Sequence, residues 1–462
     1  MPAADRNEPQ IPSANPFARL GMERDARVLV VGLGKTGYSV ARFLSRQGFS
    51  FAVADSREKP PCLRELQEHL PDAGVFLGGF RTEAFRAATH LVVSPGVALD
   101  TPEIAAAAQR GVPVLGDLDL FACVARAPIV AITGANGKST VTTLVGLMAE
   151  ADGKRTRTGG NLGTPMLDLL DAAAELYVLE LSSFQLERST LLEATAATVL
   201  NISPDHLDRY PDLAAYAAAK RRIFRGGGLM VLNRDDPAVA AMAEPGRRCR
   251  WFGLQGPEVD YGLGRLGEEE WLLRRGEPLL RLAEVRLQGR HNIANALAAV
   301  ALADAVGVTP AAMVQVLRQF RGLDHRMQWV AEVDGVAWIN DSKATNVGAC
   351  AAALAGLERR AVLIAGGDGK GADFTLLRPV VRDKVRAAVV MGRDAGLLEA
   401  ALRDLIPLVR AQTMREAVQA ARALAQPGDV VLLAPACSSL DQYKDYQERG
   451  RIFMEAVRSM QS

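Results

Sequence analysis

Short apolar runs alternate with helical segments along almost the whole chain, and this alternation constrains the fold more than any other feature. The first run, residues 28–31, leads into a Gly-rich turn, a helical segment and a second run at residues 51–54. Similar runs lie at residues 129–132, 176–181, 197–202, 229–232, 336–339, 361–364, 387–390 and 430–433. Strands buried on both faces of a parallel sheet read as continuous apolar runs joined by helices. The pattern therefore predicts an α/β protein built on parallel sheets.

The runs fall into three groups, which predicts three α/β domains in series. A chain of 462 residues also fits about three domains at the usual ~100–200 residues each. We expect a loose polar tail at residues 1–25, Rossmann-like domains at residues 26–116 and 322–462, and a central P-loop ATPase-like parallel sheet at residues 117–321. Residues 251–287 are Gly-rich with strand-like pieces, which predicts antiparallel β structure added to the central domain.

The charge balance and the cysteines exclude several classes of protein. Lys plus Arg number 54 and Asp plus Glu number 53, so no overall field would attract nucleic acid or an anionic membrane. No apolar run approaches the roughly 18 residues of a membrane-spanning helix. The five cysteines lack CxxC spacing, so neither a zinc site nor a disulfide framework is indicated. We expect a cytoplasmic monomer with reduced cysteines, no membrane insertion and no nucleic-acid partner.

The sequence GANGKST, residues 134–140, lies between a predicted strand and a predicted helix. Glycines let backbone N–H groups surround a phosphate, the helix N-terminus adds partial positive charge, the lysine reaches the terminal phosphates and a hydroxyl can bind magnesium. The loop departs from the longer G-x4-GK[ST] motif, because Ile132 stands where that motif begins with glycine. A bare GKS is often chance, but the flanking strand and helix favour phosphate binding. The candidate residues are Gly134, Asn136, Gly137, Lys138, Ser139 and Thr140.

A second Gly-rich turn, GLGKTG at residues 32–37, is followed by Asp55 at the end of the next apolar run. This spacing matches the dinucleotide fingerprint and by itself favours a nicotinamide enzyme. The glycines could equally serve only a tight turn and close helix packing, or cradle the pyrophosphate of another nucleotide such as UDP. The residues alone leave these three interpretations open.

Acidic, imidazole and amine side chains lie near the predicted phosphate-binding edge of the central sheet. Glu180 closes one apolar run, and Asp205 and His206 follow the next. Such groups can bind magnesium, which uses imidazole sparingly, although each alone is as typical of a surface or capping residue. Lys220 lies in an Ala-rich helical segment that could desolvate its amine, but its spacing alone favours a solvated lysine.

Polar loops also follow the later apolar runs. Residues 290–295 open a helix with two amides on one face, and residues 322–327 mark a junction. The loops at residues 340–346, 366–371 and 436–441 each follow a predicted strand. Because ligands collect beyond the carboxyl ends of parallel strands, these three loops predict a second ligand-binding face.

Taken in order, GANGKST, ELSSFQL, NISPDHLDRY, GRHNIANALAA, GLDHRMQ, NDSKATN, GGDGKGADF and APACSSLDQY resemble the motifs of the Mur ligase family. The likeness extends from about Arg27 to about Phe453, and folylpolyglutamate synthases share only the central ATP motif. It is strongest to the members that add glutamate to UDP-N-acetylmuramoyl-L-alanine. The resemblance implies a UDP-binding N-terminal domain, a central ATP-binding domain and a C-terminal amino-acid-binding domain. It further implies a ligase of peptidoglycan precursor synthesis that uses ATP, Mg²⁺ and D-glutamate and passes through an acyl phosphate.

The resemblance also implies a role for each matching residue. Contacts to the UDP substrate are implied for Lys35, Thr36, Asp55, Ser56, Arg57, Gly96 and Asn161. Besides the GANGKST residues, ATP contacts are implied for Asn292, Asn295, Arg326 and Asp341. Contacts to glutamate are implied for Lys343, Thr345, Lys370, Ser439 and Leu440. The implied magnesium neighbours are Ser139, Glu180, His206 and a carbamylated Lys220. The implied catalytic residues are Lys138, Glu180, His206 and Lys220.

Three other functions stay open from the sequence. Another ligase of the same architecture would add L-glutamate or a different amino acid. A nicotinamide oxidoreductase would leave GANGKST and Glu180 without a purpose. A non-catalytic nucleotide-binding regulator would leave the polar loops at so many strand ends unexplained.

Overall fold

The computed structural model describes residues 15–161, 163–206, 209–255, 259–287 and 289–460. These residues form three β-sheets, and their contacts divide the chain into two units. The first unit comprises the described residues up to Arg126 together with residues 163–172 and 184–192. The remaining residues form the second unit, which holds the other two sheets. The three sheets confirm the predicted α/β class.

The first unit contains a five-stranded parallel sheet with strand order β3-β2-β1-β4-β5. Its strands are β1 (Arg27–Val31), β2 (Ser50–Asp55), β3 (Gly74–Leu77), β4 (His90–Val93) and β5 (Val114–Leu115). Its helices are α1 (Lys35–Gln47), α2 (Leu63–His69), α3 (Thr82–Ala87), α4 (Pro102–Gln109) and α5 (Asp117–Val124). Parallel pairing of β1 with β2 across α1 confirms the βαβ unit expected from the first two apolar runs.

The central sheet of the second unit has nine strands in the order β14-β13-β12-β11-β10-β9-β6-β8-β7. They are β6 (Ile129–Thr133), β7 (Thr156–Gly160), β8 (Leu176–Glu180), β9 (Ala196–Val199), β10 (Leu229–Asn233), β11 (Cys249–Phe252), β12 (Tyr261–Leu266), β13 (Glu269–Arg274) and β14 (Glu277–Arg281). The helices that follow these strands along the chain are α6 (Lys138–Ala151), α7 (Ser183–Arg188), α8 (Leu213–Arg221), α9 (Pro237–Ala240), α10 (Arg290–Ala305) and α11 (Pro310–Gln319). All of α7 except Ser183 belongs to the first unit. Antiparallel pairing of β12 with β13 and of β13 with β14 confirms the β structure predicted for residues 251–287.

The third sheet has the order β15-β16-β20-β17-β18-β19. Its strands are β15 (Gln328–Val333), β16 (Val336–Asn340), β17 (Ala361–Gly366), β18 (Val385–Met391), β19 (Leu408–Arg410) and β20 (Val430–Leu433). Its helices are α12 (Val347–Ala355), α13 (Arg378–Lys384), α14 (Ala395–Leu402), α15 (Met414–Leu424) and α16 (Tyr446–Arg458). The apolar runs did not predict β15, an antiparallel edge strand, because it mixes exposed and buried residues.

Two helices fix the edge of the central sheet that carries the polar loops. Val145 of α6 and Leu297 of α10 are fully buried in one core cluster with residues of β6 and β8. Replacing a buried leucine such as Leu144 with alanine typically costs about 2–5 kcal/mol, so this packing is a strong constraint. Because α6 begins at Lys138 and α10 at Arg290, their packing defines where the polar residues of both first turns lie.

One predicted strand is shorter in the structure. The run at residues 197–202 forms a strand only to Val199, because Asn201 belongs to a loop and its Oδ1 accepts the N–H of Asn136 at 2.8 Å. No helix among the described residues is both long and apolar enough to cross a membrane.

Candidate active site

The loop between β6 and α6 requires glycine at two positions. Gly137 has φ 84°, and a Cβ atom there would lie 2.3 Å from Oδ1 of Asn295. Gly134 has φ 152°, and its Cβ would lie 3.0 Å from that of Leu200. Any larger residue would therefore be strained in its backbone and crowded by its neighbours. The strand, the Gly-rich turn and the helix N-terminus expected of a phosphate-binding loop are all present.

Lys138, the first residue of α6, folds back over this loop. Its Nζ donates to the carbonyl oxygens of Gly134 and Ala135, both at 2.9 Å. Burial lowers the pKa of Lys138, while the carboxylates of Glu180 and Asp205 oppose that effect. Phosphate oxygens would be stronger partners for this ammonium than the two neutral carbonyls.

A cavity of about 310 Å³ opens beside the loop. Predicted ATP residues from distant parts of the second unit line it together: Asn136, Gly137, Asn292, Asn295, Arg326 and Asp341. From this wall Arg326 also donates a hydrogen bond from Nη2 to Oγ of Ser139 at 3.1 Å. Thr140 is buried in α6 and does not line the cavity.

Two charged side chains of the third sheet face the same cavity. Burial raises the pKa of Asp341 to about 6, although the charge of Arg326 acts in the opposite direction. Burial, with a further contribution from the charge of Arg326, lowers the pKa of Lys343 to about 8. Nζ of Lys343 lies 4.0 Å from the ring centroid of Tyr446. The cavity therefore contains groups whose charge changes near neutral pH.

Glu180 ends β8 at the same edge of the central sheet. Its Oε1 accepts a hydrogen bond from Nδ2 of Asn161 at 2.7 Å, and its backbone carbonyl accepts the N–H of Asn161 at 2.8 Å. Its Oε2 is buried and has no hydrogen-bond partner among the residues that the structure describes. A buried carboxylate oxygen without a partner is unfavourable, and a bound cation is one ligand that would satisfy it.

The interpretation of Lys220 as a solvated lysine, favoured by spacing alone, is wrong. The side chain is 1% exposed, and its Nζ donates to the carbonyl oxygen of Gly134 at 2.9 Å. The ammonium also lies 4.5 Å from the ring centroid of Tyr216. Burial lowers the pKa of Lys220 well below its usual value, and the charge of Lys138 adds to that effect. Tertiary contacts that helical spacing does not reveal cause the burial.

His206 has a left-handed backbone with φ 57°, and its Nε2 lies 3.7 Å from Oδ2 of Asp205. Burial lowers the pKa of His206 to about 4, which outweighs the opposing charge of Asp205. The imidazole is therefore neutral at pH 7. Across the described ranges, no three His, Cys, Asp or Glu side chains are grouped closely enough to hold a metal ion by themselves.

The residues predicted to contact an amino acid lie in loops after strands of the third sheet. Thr345 follows β16, Lys370 follows β17, and Ser439 and Leu440 follow β20. Lys370 has φ 53°, and its charge lowers the pKa of Lys343. Ser439 is buried, whereas Leu440 is 70% exposed. These loops form one edge of the sheet, as the parallel-strand argument predicts.

The first unit contains the other Gly-rich turn. Asp55, which ends β2, accepts a hydrogen bond from the N–H of Leu33 at 2.7 Å and forms an ion pair with Arg57 at 2.7 Å. Burial disfavours ionisation of Asp55, but the hydrogen bonds from Arg57 and Leu33 outweigh it and lower the pKa. A Cβ atom on Gly37 would lie 1.8 Å from the carbonyl oxygen of Gly32, so close packing explains this glycine. Asp55 therefore braces the turn and does not present a free carboxylate to a ribose.

The remaining residues predicted to contact the UDP substrate lie in both units. Lys35 and Thr36 begin α1, and Ser56 follows β2. Gly96 follows β4 and has open space around it. These four lie in the first unit, whereas Asn161 lies in the second unit beside Glu180.

Three family models match the chain in sequence order. Residues 26–116 match the Mur ligase MurD-like N-terminal domain, residues 132–303 the Mur ligase middle domain, and residues 325–437 the Mur ligase glutamate ligase domain. The chain belongs to the Mur ligase family.

Relatives of this Mur ligase match it over nearly its full length. A UDP-N-acetylmuramoylalanine–D-glutamate ligase from Methylococcus capsulatus is 67% identical and covers 96% of the chain and 97% of its own length. A relative of the same name from Nitrosococcus oceani is 55% identical over 95% of the chain and 97% of its own length.

Solved structures share the fold of this Mur ligase at low sequence identity. A pseudomurein peptide ligase from Methanothermus fervidus has a TM-score of 0.61 at 16% identity and covers 94% of the chain and 100% of its own. A UDP-N-acetylmuramate-alanine ligase from Thermotoga maritima has a TM-score of 0.59 at 21% identity, with the same coverage. These likenesses bear on the fold alone.

Sequence reasoning missed Asn346 and Asn201 of this Mur ligase as residues of the site. Asn346 lies in the predicted loop NDSKATN, and its side chain contacts Asn136. Asn201 lies in NISPDHLDRY and contacts the same residue. Motif spacing does not show either contact. The pairing of β6 with β9 brings Asn201 to Asn136, and the packing of α12 against their loops brings Asn346 to Asn136.

Proposed function

We propose that this Mur ligase joins D-glutamate to UDP-N-acetylmuramoyl-L-alanine while ATP is converted to ADP and phosphate. The observation that carries the proposal is the 67% identity, over 96% of the chain, to a UDP-N-acetylmuramoylalanine–D-glutamate ligase. The geometry provides what this reaction needs, because a phosphate-binding loop and the polar edge of a second sheet lie on one cavity. We infer that the enzyme acts in the cytoplasm, as a monomer, on precursors of peptidoglycan.

The three predicted domains receive one ligand each in this proposal. Residues 26–116 bind the UDP moiety through the GLGKTG turn and its neighbours, residues 117–321 bind ATP, and residues 322–462 bind glutamate. In the ATP domain the backbone N–H groups after Gly134 and the ammonium of Lys138 hold the phosphates. Asn292, Asn295, Arg326 and Asp341 surround the rest of the nucleotide.

The residues present fit a magnesium ion. Glu180 offers a buried carboxylate oxygen that has no hydrogen-bond partner in the described part of the chain, and Ser139 offers a hydroxyl at the start of α6. Mg²⁺ prefers oxygen ligands and usually keeps substrate phosphates in its coordination sphere, which suits a site with few protein donors. Ser139, Glu180, His206 and a carbamylated Lys220 would hold the ion, which would neutralise charge on the phosphates.

Burial of Lys220 supports its proposed carbamylation. A neutral amine attacks carbon dioxide, a C–N bond forms, and a proton leaves to solvent. The carbamate carries two oxygens and a negative charge, so it would replace an unfavourable buried cation beside Lys138 with a favourable anion.

The chain's own residues position and stabilise the two chemical steps. An oxygen of the alanine carboxylate attacks the γ-phosphorus of ATP, and ADP leaves to give an acyl phosphate. The neutral amine of glutamate then attacks the acyl carbon, the nitrogen loses a proton to solvent, and phosphate leaves from the tetrahedral intermediate to give the amide. Lys138 and the loop N–H groups stabilise the charge on the transferring phosphoryl group. Such electrostatic stabilisation, together with positioning, accounts for most of the rate enhancement in phosphoryl transfer.

The glutamate side of the site is proposed to be formed by Lys343, Thr345, Lys370, Ser439 and Leu440. Two cations and two hydroxyls suit a ligand with two carboxylates. A related ligase that adds L-glutamate or another amino acid would share the rest of the site, so only the choice of acceptor separates the two candidates.

An assay of ADP release and amide formation tests the proposal. ADP should form at full rate only when ATP, UDP-N-acetylmuramoyl-L-alanine and D-glutamate are all present, and mass spectrometry should detect the glutamyl product. ADP release that ignores both the UDP substrate and every amino acid would exclude this function.

A further inference from the structure

The side chain of Asn346 forms hydrogen bonds with two loops of the central sheet at once. It caps α12, because its Oδ1 accepts the N–H of Ala349 at 2.8 Å. Its Nδ2 donates to Oδ1 of Asn136 and to Oδ2 of Asp205, both at 3.2 Å. The residue is 7% exposed. Asn136 belongs to the GANGKST loop and Asp205 to the loop after β9, so one amide joins α12 to both.

The partners fix the orientation of this amide. The carboxylate of Asp205 accepts and the backbone N–H of Ala349 donates, so the Nδ2 and Oδ1 ends of Asn346 cannot be exchanged. An aspartate at this position would keep the cap but place a second carboxylate against Asp205. A serine would keep a cap oxygen but lose the amide NH2 group that donates to Asn136 and Asp205.

The backbone next to Asn346 also contacts the central sheet closely. A Cβ atom on Gly348 would lie 2.8 Å from Oγ of Ser203, so the first turn of α12 lies directly on the loop after β9. That loop in turn holds the nucleotide loop, since Asn201 accepts the N–H of Asn136 at 2.8 Å and donates to its carbonyl at 3.1 Å. Close packing and hydrogen bonds therefore connect α12 to the nucleotide loop through the loop after β9.

We propose that Asn346 is a positioning residue that holds the amino-acid loop against the nucleotide loop and so couples acyl-phosphate formation to attack by the amine. This inference rests on the proposed function and deepens it. Lys343 and Thr345, which are proposed to face glutamate, precede Asn346 in the same loop, while Asn136 lies in the loop proposed to face ATP. When the bonds of Asn346 are lost, the acyl phosphate waits longer for the amine, and water hydrolyses part of it.

The test compares ADP formed with amide formed at saturating ATP, UDP-N-acetylmuramoyl-L-alanine and D-glutamate. The wild type should give one ADP for each amide. Asn346→Ser, which keeps the cap, should lower amide formation about 10- to 100-fold, the scale expected for two hydrogen bonds of which one is to a carboxylate. ADP formation should fall less, so the ratio of ADP to amide should rise clearly above one.

Further variants separate positioning from a loss of folding. Asn136→Ala breaks the same bond from the opposite side and should raise the same ratio, and adding Asn346→Ser to it should have much less than the additive effect. Asp373→Ser is the matched control. Asp373 accepts the N–H of Thr375 in a similar cap but does not line the cavity, so this variant should leave the ratio of ADP to amide at one.

Two outcomes would overturn the inference: a ratio of one in both Asn346→Ser and Asn136→Ala, or strictly additive effects in the double variant. A wild type that makes no amide from D-glutamate would instead refute the proposed function, so the two failures are distinguishable.

Discussion

The ammonium groups of Lys138 and Lys220 both donate a hydrogen bond to the carbonyl oxygen of Gly134, each at 2.9 Å. Burial lowers the pKa of Lys220 well below its usual value, and the charge of Lys138 lowers it further. Burial also lowers the pKa of Lys138, and Glu180 and Asp205 oppose the lowering at both lysines. Because burial lowers the pKa of Lys220 so far, this residue is the candidate for a neutral, reactive amine.

Lys138→Ala should lower turnover about 10²-fold or more, because removing one preorganised charge-stabilising donor typically has an effect of that size. Steady-state ADP release at saturating substrates measures it. Lys154→Ala, a change in a lysine that pairs with Asp152 beyond the end of α6, serves as the matched control and should retain wild-type turnover. Near-normal turnover of Lys138→Ala would show that this lysine does not hold the phosphates.

Lys220→Ala should be almost inactive and should recover part of its activity with small carboxylic acids such as formate or acetate, which restore an anion in the space left by the side chain. Wild-type enzyme equilibrated with ¹³C-labelled bicarbonate should show a carbamate signal in its ¹³C NMR spectrum, and Lys220→Ala should lack it. An identical spectrum for the two proteins would contradict carbamylation at this residue. The spectrum is independent of turnover, so it tests the modification even if the variant is inactive.

Asp55→Asn should weaken binding of a UDP-sugar, since the carboxylate braces the turn through Leu33 and orients Arg57. Loss of a charged hydrogen bond corresponds to about 1.5–3 kcal/mol, or roughly 10- to 150-fold in the dissociation constant. Calorimetry measures it, with NAD titrated in parallel and expected to give no heat. Tight binding of NAD together with hydride transfer would revive the dehydrogenase interpretation of GLGKTG.

The strands that carry the site were predictable because their signal is local. β8 and β20 are continuous apolar runs, so the polar loops after them could be assigned to the carboxyl edges of two sheets. Edge strand β15 lacks such a run, so the apolar pattern does not predict it. The burial of Lys220 and the contact between Asn346 and Asn136 depend on how separate elements pack, and neither helical periodicity nor motif spacing contains that information. The family resemblance implies a role for Lys220, and the burial of its side chain supports that proposal.

The affinity for glutamate should depend on the charge of Lys343. Burial and Arg326 lower the pKa of this amine to about 8, so it is a cation below that pH and neutral above it. If the cation holds a carboxylate of glutamate, KM for glutamate should rise above pH 8 by up to about tenfold for each pH unit. Lys343→Arg, whose guanidinium stays charged, should lack this rise, while KM for UDP-N-acetylmuramoyl-L-alanine serves as the internal control. A wild-type glutamate KM that is flat from pH 7 to 9.5 would contradict the assignment.

The choice of a dicarboxylic acceptor should depend on Lys370, whose left-handed backbone and hydrogen bond to Asp368 fix its position after β17. Loss of its ammonium in Lys370→Ala removes a charged hydrogen bond of about 1.5–3 kcal/mol and should raise KM for glutamate roughly 10- to 150-fold. KM for ATP should change much less, because the lost partner contacts the amino acid.

Acceptor specificity should follow the same charge. D-glutamate should be the preferred acceptor in a panel with L-glutamate, meso-diaminopimelate, L-lysine and L-alanine, with product measured by mass spectrometry. A basic acceptor would bring its side-chain ammonium toward the cations Lys343 and Lys370, whereas glutamate brings a carboxylate. L-lysine should therefore form its amide more slowly than glutamate, whose side chain is of similar length. The advantage of glutamate over L-alanine should shrink in Lys370→Ala, because the second carboxylate then lacks its partner. An unchanged preference in that variant, or preference of the wild type for a basic or diamino acid, would show that Lys370 does not bind the second carboxylate of glutamate.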